Sequence, residues 1–115
     1  MGFFSFFASK RTKGFAEDLA QSLTKDLPPN LMLHSAKVIS ANRVTTILER
    51  SYAKAAIFQT EHGIGAIRRA ALANAFRWKL KELGYPEEFV GVATEGLLVH
   101  LSKCGKGQSL ANNNK

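Results

Sequence analysis

Apolar residues recur at helical rather than strand spacing along most of this 115-residue chain, and prolines and glycines cut the pattern into four lengths. Phe15, Leu19, Leu23 and Leu27 repeat every four residues, which predicts a first amphipathic helix over 13–26. Pro28 and Pro29 cannot continue it and disfavour helix in the residue before each. After Ser40, a natural cap, the stripe Val44, Ile47, Leu48, Ser51, Ala55 and Phe58 keeps to one face until Gly63. The connection Gly63-Ile64-Gly65 is short enough to require an antiparallel or sharply angled neighbour.

A third helix over 65–83 shows two apolar stripes at 100° per residue. Ile67, Ala71, Ala75 and Trp78 form one, and Leu72, Phe76, Leu80 and Leu83 the other. Two stripes predict contacts on two sides and a central position. Pro86 with Glu87 and Glu88 is favourable start chemistry for a fourth helix, whose inner stripe is Phe89, Ala93, Leu97 and Leu101, with Val90 and His100 alongside. A β-hairpin around Thr94-Glu95-Gly96 competes for 89–101, but the start signal and the four-residue stripe both favour helix. Residues 30–39 are the least patterned, and β-branched Val38-Ile39 fits a short strand there.

The sequence thus predicts an all-α fold, a compact four-helix domain over 13–104. A Phe-rich basic segment at 1–12 precedes it, and a disordered C-terminal tail at 105–115 follows, where Gly, Asn and Lys leave little to bury. The alternative is α+β with a hairpin near 89–101. With 45% hydrophobic and 22% charged residues, the composition is that of an ordinary globular domain.

Net charge is +7, unevenly spread. Residues 1–13 carry +3 and 14–62 balance; residues 63–85 carry +4, 86–102 carry −3, and the remainder +3. Such an excess favours encounter with nucleic acid, anionic lipid or acidic protein without choosing among them. The lone Cys104 has no intramolecular disulfide partner, and no Cys/His cluster has zinc spacing, so neither a metal nor another cofactor is expected. The opening Met1-Gly-Phe-Phe-Ser-Phe-Phe-Ala8 is too short for a secretory core, and no apolar run suits a membrane span, so the expected location is the cytoplasm.

Neither Gly63-Ile64-Gly65 nor Cys104-Gly105-Lys106-Gly107 has phosphate-loop spacing, and no Gly-x-Ser-x-Gly elbow occurs. His34, His62 and His100 lie in separate elements, and Glu87-Glu88 reads as helix-start chemistry rather than an acid/base pair. No catalytic residue is assigned and no enzyme is expected. The leading candidate surface is the basic third helix, with Arg68, Arg69, Arg77, Lys79 and Lys81 offered to an acidic partner or nucleic acid by a small binding or adaptor protein. The bland reading is that these cations snorkel from the edges of a packed helix. The second candidate is the N-terminus: Phe3, Phe4, Phe6 and Phe7 share one broad helical face, and Lys10, Arg11 and Lys13 follow, a pattern suited to a membrane interface. Its bland reading folds the phenylalanines back onto the core. Self-association is compatible with either.

Over these thirteen residues the chain resembles the membrane-targeting start of the bacterial division-site topological specificity factor family, which the remaining chain does not follow. The stretch Arg69-Ala-Ala-Leu-Ala-Asn-Ala-Phe-Arg-Trp-Lys-Leu-Lys-Glu-Leu-Gly-Tyr-Pro-Glu-Glu-Phe89 is similar to a family of small proteobacterial proteins of unknown activity. That resemblance implies a bacterial cytoplasmic origin and carries over no functional residue.

Overall fold

Leu19 and Leu23, along helix α1, Lys10–Asp26, and Leu27, just past its end, are buried as their spacing requires. In this computed structural model, which describes residues 10–30 and 41–113 with side chains as far as Cys104, three further helices follow. They are α2, Ala41–His62, α3, Ala66–Glu82, and α4, Glu87–Asn113. Every regular element among the described residues is helical, so the architecture is an all-α four-helix bundle. Residues 89–101 belong to α4, which removes the hairpin alternative. Phe89, Val90, Ala93, Leu97 and Leu101 all face the core from one side of that helix. The strand considered near 30–39, the Ser40 cap, His34 and the phenylalanines at 3–7 lie outside the described residues.

Each main packed pair follows from the faces the sequence supplies. Helix α3 packs on α1 and on α4, α4 packs on α2 as well, and α2 meets α1. On α3, Ala71 and Ala75 are small and buried, which lets a neighbouring helix approach closely, while Leu72, Phe76 and Leu80 fill the interior. The stripe that joined Ile67 and Trp78 to these alanines is corrected at both ends. Ile67 is 62% exposed and Trp78 55% exposed, because they rotate 20–40° past the alanines toward solvent on the wheel. The wheel therefore gives α3 one broad inner face and one outer face.

Two glycines shape the turns. Gly63, at φ 58°, ends α2, with Gly63 N–H donating to the Thr60 carbonyl and Ile64 N–H to the Gln59 carbonyl at 3.0 Å. Gly84, at φ 98°, ends α3 the same way, with Tyr85 N–H donating to the Leu80 carbonyl at 3.2 Å. Both motifs bury the apolar residue that follows, Ile64 and Tyr85.

These turns fix helix directions. The Tyr85 hydroxyl donates to the Leu27 carbonyl, and Gly84 faces Pro29, so the ends of α1 and α3 lie together. Each helix is 17 residues long, about 25 Å, and the two run parallel, so their first turns also lie together at the opposite end. Helix α2 runs parallel to α4: the Tyr52 hydroxyl donates to the Ala93 carbonyl at 2.8 Å, and Gln59 Nε2 donates to the Leu101 carbonyl at 3.2 Å. Past Gly105, where the sequence predicts a tail, the backbone of α4 continues as helix to Asn113. A glycine costs about 1 kcal/mol in a helix interior but does not remove a backbone donor, and no proline intervenes.

Candidate functional site

The beginnings of α1 and α3 and the end of α2 meet at one end of the bundle, and α4 passes it. The first turns there are basic. Helix α1 opens with Lys10, Arg11 and Lys13, and α3 with Arg68 and Arg69; neither has an acid in its first turn. Lys103 of α4 is exposed and lines a groove between α2 and α4, with Glu49 and Glu95. Glu61 is the acid these turns contribute. Positive side chains at a helix N-terminus face the positive end of its dipole, which costs a few tenths to about 1 kcal/mol each. Among the described residues the opposite end is balanced, with Asp26, Glu82, Glu87 and Glu88 against Lys25, Arg43, Lys79 and Lys81.

Two contacts tie this cationic end to the fold. Arg11 Nη1 lies 3.4 Å from His62 Nδ1, and the His62 ring in turn lies 4.4 Å from Phe58, which stacks on Phe15 at 4.1 Å. Arg69 Nε donates to Gln59 Oε1 at 2.8 Å, and Gln59 is the same buried amide that bridges to α4. Arg69 therefore acts first as a clamp at the α2–α3 joint. Arg68 is exposed and has no such partner among the described residues.

The five cations offered by the basic third helix divide into separate groups. Arg68 and Arg69 belong to the basic end. Arg77 and Lys81 lie on the outer face and flank Trp78, with the Arg77 guanidinium 5.4 Å and Lys81 Nζ 5.0 Å from its ring centroid. Lys79 lies on another side and pairs with Glu82 at 3.4 Å, and Lys81 pairs with Glu87 at 3.5 Å. Both pairs have exposed carboxylates and contribute little. Wheel angle alone groups Arg68 with Lys79. Axial separation and the arrival of α1 at the N-terminal end set them apart.

The sequence clusters at 10–13 and 68–69 looked like features of two rival surfaces. Parallel packing of α1 on α3 makes them neighbours, a relation that no local pattern carries. A second feature without a sequence signal is an open groove of about 520 Å³ between α2 and α4, floored by Leu48 and Tyr52 and edged by Val92, Val99, Glu49 and Glu95. His100 lies in its wall, 5.8 Å from the Tyr52 ring, rather than fully in the core. Among the described residues no three metal-binding side chains come together, and no helix is long and apolar enough to cross a membrane. No protein-family model, curated protein or solved structure matches the chain.

Proposed function

We propose that this is a small binding protein whose work is to hold a polyanionic partner against the end of the bundle formed by Lys10, Arg11, Lys13 and Arg68. The observation that carries the reading is the convergence of the first turns of α1 and α3, each basic and each without an acid, at one end of a molecule whose described residues balance at the other. Local stability argues against that placement, since a carboxylate at either position would complement the dipole. A residue set that disfavours the fold and gathers in space is better accounted for by a ligand than by packing. Arg69 contributes through the Gln59 clamp, and Arg77, Lys79 and Lys81 stand outside this surface.

The partner is one of the polyanions to which such charge is complementary: an acidic protein, a nucleic acid or an anionic lipid surface. If these four cations meet phosphates of a DNA duplex, log affinity should fall against log salt with a slope of about −4. The test is elution from immobilised heparin. Lys13→Glu/Arg68→Glu should leave the matrix at distinctly lower salt than the native chain, while Arg77→Glu/Lys81→Glu should elute almost with it. The reverse order would place the binding face on the outer side of α3 and overturn the proposal.

A further inference from the structure

We infer that this chain associates head to tail with a second copy of itself, the outer face of α3 around Trp78 on one molecule seating in the groove between α2 and α4 on the other. The contact uses neither Lys13 nor Arg68 and is independent of the polyanion reading.

Large apolar side chains that stand exposed among the described residues include Trp78 on α3 and Val92 and Val99 on α4. The two valines edge the groove, whose floor is Leu48 and Tyr52. Its volume of about 520 Å³ falls in the range of sites that enclose a small aromatic molecule. Trp78 is the other half of such a contact: a half-exposed indole gains strongly when a neighbouring molecule removes water from it. Within one molecule the two halves do not meet, since Trp78 does not line the groove of its own chain.

Charge selects which surfaces pair. Arg77 and Lys81 lie 5.4 and 5.0 Å from the Trp78 ring centroid, so two cations travel with the indole. Glu49 from α2 and Glu95 from α4 border the groove on its two sides, and Lys103 lines it about two turns beyond Glu95. The basic residues of α2, Arg43, Arg50 and Lys54, turn about 140–180° away from groove-lining Thr45 on the wheel, which leaves the stretch around Glu49 acidic. Lys81 has a partner of its own in Glu87 at 3.5 Å, but that carboxylate is 80% exposed and the pair is readily exchanged. Two α3 faces brought together would set cation against cation, and two grooves carboxylate against carboxylate. Only the mixed pairing joins opposite signs, so the contact is heterologous.

A single helix face about 25 Å long and about 10 Å wide covers far less than the roughly 1,600 Å² of a standard interface, so association is weak and depends on concentration. Each copy offers both a face and a groove, so growth continues past a pair unless the rotation closes a ring.

Sedimentation velocity and tryptophan emission of the full chain, from about 1 µM to about 1 mM, test the inference. Trp78 is the single tryptophan of the chain, so emission reports on this face directly and needs no substitution. The native chain should gain mass with concentration while its emission moves to the blue over the same range. Trp78→Ala should raise the dissociation constant by at least about 30-fold, and Arg77→Glu/Lys81→Glu or Glu49→Lys/Glu95→Lys by at least about tenfold each. The two reversed chains mixed in equal amounts should associate again, because the native groove of the first accepts the native α3 face of the second. Lys13→Glu/Arg68→Glu should behave like the native chain. Constant mass across the range, emission that stays still while mass rises, reversed chains that associate as the native one does, or a mixture that remains monomeric overturns the inference. None of these outcomes alters the order of elution from heparin, so the polyanion reading stands or falls separately.

Discussion

Tyr52 reaches the α4 backbone only because residue 96 has no side chain. A Cβ built on Gly96 would collide with the Tyr52 hydroxyl and lie 3.0 Å from its Cζ atom. Gly96→Ala should therefore destabilise the bundle by about 1–3 kcal/mol, and the loss should shrink in a Tyr52→Phe background, where the ring lacks the colliding oxygen. Thermal melts of the four chains measure that coupling. Additive losses would place the clash elsewhere. The same burial acts on ionisation: Tyr52 is raised from the ordinary 10.0 to about 12 by desolvation and then by the charge of Glu49, and Tyr85 from 10.0 to about 12 by desolvation. A folded state that holds these protons more tightly than the unfolded chain is at full advantage below pH 10 and loses it as pH rises through 12. Denaturant midpoints should thus fall above pH 10, and Tyr52→Phe/Tyr85→Phe should flatten that fall.

At the scale of the helix, adjacent arginines in α3 have opposite roles. Arg68 stands exposed against the dipole, so Arg68→Glu should raise stability by a few tenths to about 1 kcal/mol while weakening binding to heparin. Arg69 holds Gln59, so Arg69→Met should lower stability by about 1–3 kcal/mol, because it leaves the Gln59 carbonyl without its donor in a buried joint. Urea denaturation of both variants decides the matter; equal losses would contradict the assignment of Arg68 to the binding surface. The helices themselves were legible from the four-residue stripes, and the Gly63 stop from its position after an apolar period. The division of α3 into an inner and an outer face was less so. Trp78 lies on the wheel within 20° of buried Ala71, and which side of that boundary a large side chain takes depends on where α1 comes to rest.

For the whole molecule, connectivity and packing disagree in a useful way. Chain order puts Lys13 and Arg68 far apart, whereas the parallel alignment of α1 and α3 places them at one end. That alignment depends on the contacts of Leu27 and Pro29 with Tyr85 and Gly84 at the other end, which no periodicity announces. Charge blocks at 1–13 and 63–85 were visible in the sequence as two excesses. Their union into one surface required the fold. The most direct test is the pattern of backbone amide shifts in an NMR titration of the isotope-labelled full chain with a short heparin fragment. Shifts should gather at residues 10–13 and 62–69, leaving 77–82 and 87–88 nearly still; shifts centred on 77–82, or spread evenly along α3, would contradict the existence of a single cationic binding end.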